Sequence, residues 1–178
     1  MLSLFDKDKV QKALMFASNK HKDQMMGRSS GNLMPYATHF FGVALNAINF
    51  CFNEDVNKTL ILQLAFLHDT LEDTNTTYEN LTCEFGKIVA DGVLALTRNP
   101  EIEPNLQIED CLKRIKTQPK EVAIVKMADR LFNIRERFSG WDKQKQDNYK
   151  QEAQLICNEL GCYSANLKQA LQQAIDVY

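Results

Sequence analysis

Residues 64–74 read LAFLHDTLEDT, an apolar run that ends in four ionisable side chains, His68, Asp69, Glu72 and Asp73. Leu60, Leu64 and Leu67 recur at helical spacing and Asn57 is suited to cap them, so the pattern predicts a helix over 57–72. On such a helix Leu64, His68 and Glu72 share one face. Adjacent His and Asp side chains reach a common point only at a helix end. Burying so many ionisable groups beside an apolar segment is costly unless they pair or hold a metal. An internally satisfied His–Asp pair is the competing reading.

Outward from this run, helical spacing persists along the chain. Val10, Leu14, Ala17 and His21 form the stripe of a first helix over 6–24, followed by a polar loop, MMGRSSGNLMP, at 25–35. Further helices are predicted over 39–52, 88–96, 106–116, 120–138, 143–160 and 164–177. Thr76 to Glu79 fits a capping box that opens another, which Gly86 ends, and Ser139-Gly140 closes the helix from 120. Ser164 is suited to cap the last. No run alternates as a strand would, and no repeat or low-complexity linker interrupts the pattern. The prediction is an all-α, single-domain helical bundle over 1–178.

Composition narrows the function. The 178 residues carry a net charge of −2, with seven glycines and four prolines, which suits helices and disfavours a nucleic acid polymer as partner. No apolar stretch is long enough for a membrane span or signal peptide, so no membrane partner and a cytoplasmic location are expected. Five scattered cysteines without a C-x-x-C pair argue against a disulfide framework and a thiolate zinc site. Assembly as a homo-oligomer is compatible with all of this.

A second acidic element lies in VAIVKMADRLFNIRE, 122–136, where Asp129 interrupts an apolar helix. Lys126 precedes it by about one turn, and Asn133 follows by one. An exposed face of i, i+4 pairs is one reading; an inward Asp129, flanked by Val125, Leu131 and Phe132, is the other. The chain has three histidines, His21, His39 and His68. His39, His68, Asp69 and Asp129 together offer two nitrogens and two carboxylate oxygens. That mixture suits an octahedral Mn²⁺ or Fe²⁺ more than zinc. His21, on the inward stripe of the first helix, is expected to support the 25–35 loop instead.

The order His39, His68-Asp69, Asp129 resembles that of the HD phosphohydrolase superfamily. ALMFASNKH with Gln24, PYATHFFGVA, LAFLHDTLEDTNTT, the FG of CEFGKIV, and VKMADRLFNIRE are similar to the RelA/SpoT-type ppGpp hydrolase domain and its small stand-alone members. The likeness covers about residues 10–140. It implies an HD-type helical bundle using one divalent ion, Mn²⁺ with Fe²⁺, Mg²⁺ or Zn²⁺ as alternatives, to remove the 3′-pyrophosphate of the nucleotide (p)ppGpp. By the same resemblance His39, His68, Asp69 and Asp129 are the ligands, and Glu72 and Asp73 the acidic pair that handles the attacking water. Lys126, Asn133 and Tyr149 would meet the substrate.

Two departures bear on the substrate. Where relatives place basic residues after the matched Gln24, this chain has Met25, Met26 and Gly27, then Arg28; LTRNP at 96–100 replaces an acidic-lysine stretch. Arg28 and Arg98 are candidates to replace the lost phosphate contacts, with a solvated surface arginine as the alternative for each. Another phosphorylated nucleotide, such as ppApp or NADPH, is therefore the second reading. A catalytically idle nucleotide-binding module is the third.

Overall fold

Helical spacing becomes helix over most of the chain in the computed structural model, which describes residues 4–27, 32–136 and 141–178. In chain order the elements are α1 (Lys7–Lys20), β1 (Met25–Gly27), β2 (Leu33–Pro35), α2 (Ala37–Cys51), α3 (Lys58–Leu67) and α4 (Thr70–Asp73). Then follow α5 (Tyr78–Phe85), α6 (Lys87–Leu96), α7 (Gln107–Ile115), α8 (Lys120–Glu136), α9 (Lys143–Leu160) and α10 (Ala165–Asp176), with a 3₁₀ turn at Gly161–Tyr163. Arg28 and the Ser139-Gly140 stop lie outside the described residues.

Two helices are buried almost all round and form the centre. Every residue from Leu60 to Leu67 of α3 is buried, and so is every residue from Glu121 to Phe132 of α8. A helix buried on all faces has neighbours on all faces. α1, α2 and α6 pack on α3, while α2, α9 and α10 pack on α8. The starts of the central pair are tied together: Asn57 caps α3 by accepting from Leu60 N, and its own N–H donates to Glu121 Oε1 at 2.7 Å.

The helix expected over 57–72 is broken. α3 ends at Leu67, Asp69 takes φ −97°, ψ −1°, and a four-residue helix resumes at Thr70. The Thr70 hydroxyl donates to Leu67 O at 2.6 Å, satisfying a carbonyl at the end of α3. Glu72 consequently does not continue the Leu64–His68 face as an unbroken helix would place it. The break is what lets two consecutive side chains converge, which regular helix geometry forbids.

The polar loop at 25–35 is partly a hairpin. Met25 pairs with Pro35, Met26 with Met34 and Gly27 with Leu33, antiparallel. Three-residue strands are too short to show alternation, so no sequence period marks them. The capping box falls one residue later than expected: Thr77 Oγ1 accepts Asn80 N, and Asn80 Oδ1 accepts Thr77 N. Gly86 ends α5 at φ 84°, a conformation that favours glycine. Ser164 caps α10 by accepting from Leu167 N.

Gly42 sets how closely α2 meets α8. A Cβ there would stand 2.0 Å from Phe132 Cε2, and Phe132 packs edge-on against the His39 ring at 5.1 Å. Gly42→Ala must push that ring aside, and it should cost about 1–3 kcal/mol of stability despite the better helix former. Chemical denaturation reads this as a lower midpoint. An unchanged midpoint would show that the two helices do not meet so tightly.

Candidate active site

Three segments bring four donor atoms to one point. His39 comes from the first turn of α2, His68 and Asp69 from the break after α3, and Asp129 from the middle of α8. His39 Nε2 lies 3.1 Å from His68 Nε2, 3.2 Å from Asp69 Oδ2 and 3.4 Å from Asp129 Oδ1. His68 Nε2 lies 3.0 Å from Asp69 Oδ2 and 3.8 Å from Asp129 Oδ1. Donors about 2.1 Å from one ion and at right angles to each other stand about 3 Å apart, so these separations fit a shared cation.

The chemistry of the donors fits as well. His68 Nδ1 lies 2.9 Å from Ala65 O, so the neutral ring carries its proton on Nδ1 and turns the Nε2 lone pair into the cluster. Burial works against charge on His68, but Asp69, then Asp129 and the Ala65 carbonyl, outweigh it and hold its pKa up at about 9. Burial likewise opposes ionisation of Asp69, yet His68 and His39 hold its carboxyl well below the usual carboxylate range. Both shifts have the same meaning: the cluster stabilises positive charge at its centre. His39, His68 and Asp129, all buried, form a group able to hold a metal ion, and Asp69 Oδ2 stands within reach of both imidazoles.

Neighbouring polar groups hold these ligand candidates in place. Asn133, one turn beyond Asp129, donates from Nδ2 to Asp129 Oδ1 at 2.7 Å, which places it on the ligand candidate itself. Lys126 Nζ lies 3.7 Å from Asp129 Oδ2. The Tyr36 hydroxyl lies 2.5 Å from Asp69 Oδ2 and 3.0 Å from Asp73 Oδ2, linking the cluster to the acidic pair. Burial and these carboxylates push the Tyr36 phenol upward, so it stays a donor.

His21 stands outside the cluster. Its ring stacks on Tyr36 at 4.5 Å between centroids, and its Nδ1 lies 2.7 Å from Gln24 Oε1. Gln24 in turn donates from Nε2 to Asp73 O at 2.7 Å, and its own carbonyl accepts from Tyr36 N. Sequence reading overlooked Tyr36, although its place one turn before His39 puts it on the same side of the chain.

A cleft of about 250 Å³ opens onto the cluster. His39, Asp69 and Asp129 reach it, as do Glu72, Lys126, Asn133 and Tyr149. Glu72 is exposed, and its Oε2 accepts the backbone N–H of Arg98 at 3.0 Å. Asp73 is exposed too and meets the cluster through Tyr36. Arg28 falls outside the described residues. Arg98, given a solvated surface as its alternative, instead lines the cleft, and so do Met26 and Arg130.

Adding a divalent ion should raise the melting temperature, since an ion at a hundred times its Kd contributes about 2.7 kcal/mol. His68→Ala or Asp129→Ala should abolish that rise. A rise that survives both substitutions would place the ion elsewhere.

Comparison with known proteins agrees with this architecture. Residues 13–162 match the HD domain. The guanosine-3′,5′-bis(diphosphate) 3′-pyrophosphohydrolase MESH1 of Xenopus tropicalis is 34% identical over 85% of this chain and 84% of its own. The Danio rerio protein of the same name is 32% identical over 89% and 87%. A solved metazoan SpoT orthologue, described as hydrolysing ppGpp, superposes with a TM-score of 0.82 over 97% of both chains at 24% identity, which establishes the shared fold. The chain thus belongs to the HD-domain phosphohydrolase family, among small members of the 3′-pyrophosphohydrolase type.

Proposed function

We propose that the protein is a metal-dependent (p)ppGpp 3′-pyrophosphohydrolase, one HD domain over 1–178 that converts the alarmone to GDP or GTP and pyrophosphate. The observation that carries the reading is a four-donor cluster opening on a cleft edged by acids and cations. The names of the relatives supply the nucleotide. His39, His68, Asp69 and Asp129 would hold one ion, and two nitrogens with two carboxylates favour Mn²⁺. A divalent ion held there lowers the pKa of water and polarises a phosphoryl oxygen.

In the reaction, the oxygen of water bonds to phosphorus and the bond from phosphorus to the ribose 3′ oxygen breaks. The 3′ oxygen leaves as a hydroxyl once it has taken a proton. Glu72, its carboxylate steadied by the Arg98 N–H, accepts the proton of the attacking water in this reading. Asp73 is steadied by Tyr36 and stands ready for the same proton traffic. Lys126 offers a positive charge to the phosphates, Asn133 fixes Asp129, and the Tyr149 ring forms part of the cleft wall. Water is the nucleophile, so no cysteine or serine is required. The substrate in this reading is a small nucleotide. No described helix is long and apolar enough to cross a membrane.

One observation keeps a second substrate in view. Met26, an apolar side chain, lines the cleft from the segment where the resemblance leads one to expect basic residues. A related phosphorylated nucleotide, ppApp or NADPH, is the alternative it favours.

Purified protein with Mn²⁺ should release pyrophosphate from ppGpp and leave GDP. Release from ppApp or NADPH alone would transfer the assignment to those substrates, and silence across the panel would leave a binding module. Glu72→Gln should keep the ion and lose about 10²–10⁴-fold in kcat. A near-normal rate in that variant would remove Glu72 from its role.

A further inference from the structure

Arg130 is the most buried cation of the cleft wall, at 3% exposure. Its Nη2 donates to Glu152 Oε2 at 3.0 Å, whereas Nε and Nη1 are buried without a hydrogen-bond partner. Its guanidinium carbon lies 4.0 Å from the centroid of the Tyr149 ring. A buried guanidinium that leaves two nitrogens unpaired is costly, and the cost is relieved when an acceptor arrives.

The same Glu152 oxygen accepts a second arginine. Arg98 Nη2 donates to Oε2 at 3.0 Å, so one carboxylate is shared by two guanidinium groups and a net positive charge remains. Lys126 lines the cleft beside them, while Asp69, Glu72 and Asp129 supply its negative side. The expected basic residues are missing at 25–27, where Met26 faces the cleft. Among the described residues, the positive charge lining the cleft thus comes from α8 and from the segment just after α6.

We propose that Arg98 and Arg130, bridged by Glu152, form an anion subsite in the cleft that takes a phosphate group of the substrate. The proposal rests on the nucleotide-hydrolase reading above. Planar guanidinium forks match phosphate oxygens in a way a single ammonium cannot. Nε and Nη1 of Arg130 are buried donors without a partner, which an arriving phosphate would satisfy. Arg98 has two parts: its side chain belongs to the subsite, and its backbone N–H holds Glu72.

That division makes the test selective, because Arg98→Ala removes the guanidinium and keeps the backbone bond to Glu72. Arg98→Ala should raise KM for ppGpp about tenfold or more and leave kcat within about threefold. Binding of inorganic pyrophosphate, measured by calorimetry in EDTA, should weaken by a similar factor. Arg130→Lys, which keeps the charge and loses the fork, should weaken it too. Unchanged KM and pyrophosphate affinity in Arg98→Ala would overturn the subsite. So would a fall in kcat at unchanged KM, which would confine Arg98 to the support of Glu72. If wild-type protein turns over no nucleotide, the hydrolase reading fails, and pyrophosphate affinity with and without the Arg98 side chain still decides the subsite.

Discussion

Two carboxylates and two imidazoles drawn together in a mostly buried place set the conditions that the rest of the fold meets. Such a group is stable only around positive charge: Asp69 and Asp129 favour a proton on His68, and the two imidazoles favour ionised Asp69. Central helices α3 and α8 supply rigid supports on which little can shift. The break after α3 lets neighbours in sequence become neighbours at the site. Gly42 lets Phe132 press against His39, and the hairpin positions Tyr36 over Asp69. These details read as unrelated local irregularities until the cluster is taken as their common purpose.

Charge in the cleft is organised by neighbourhood and is little related to the net charge of the chain. Asp69, Asp129 and Glu72 gather near the donor cluster, while Lys126, Arg98 and Arg130 face the same space. A mildly acidic protein can hold an anionic nucleotide because the field that matters is local. Glu152 joins the two arginines through a single oxygen, which keeps two like charges close without leaving either to repel the other freely.

Much of this was legible in the sequence because helices advertise themselves by spacing. The stripe of Val10, Leu14, Ala17 and His21, the caps at Asn57 and Ser164 and the stop at Gly86 all follow from local chemistry. The inward turn of Asp129 was readable from its apolar flanks. The break at His68-Asp69 was not, because its support is a threonine hydroxyl on a carbonyl, a contact with no periodic signature. Three-residue strands escaped for the same reason. Glu152 and Arg130 meet across 22 positions, a tertiary fact that neither residue's surroundings announce.

The broken helix carries one more consequence, which concerns folding order. His68 and Asp69 are neighbours in the chain, and they converge once the turn after α3 has formed, a local event held by the Thr70 hydroxyl on Leu67 O. His39, 29 positions upstream, closes the next and larger loop. Loop closure of that length carries a modest entropic penalty that grows slowly with size. Asp129, on α8, is the donor that only packing between distant helices brings to the other three.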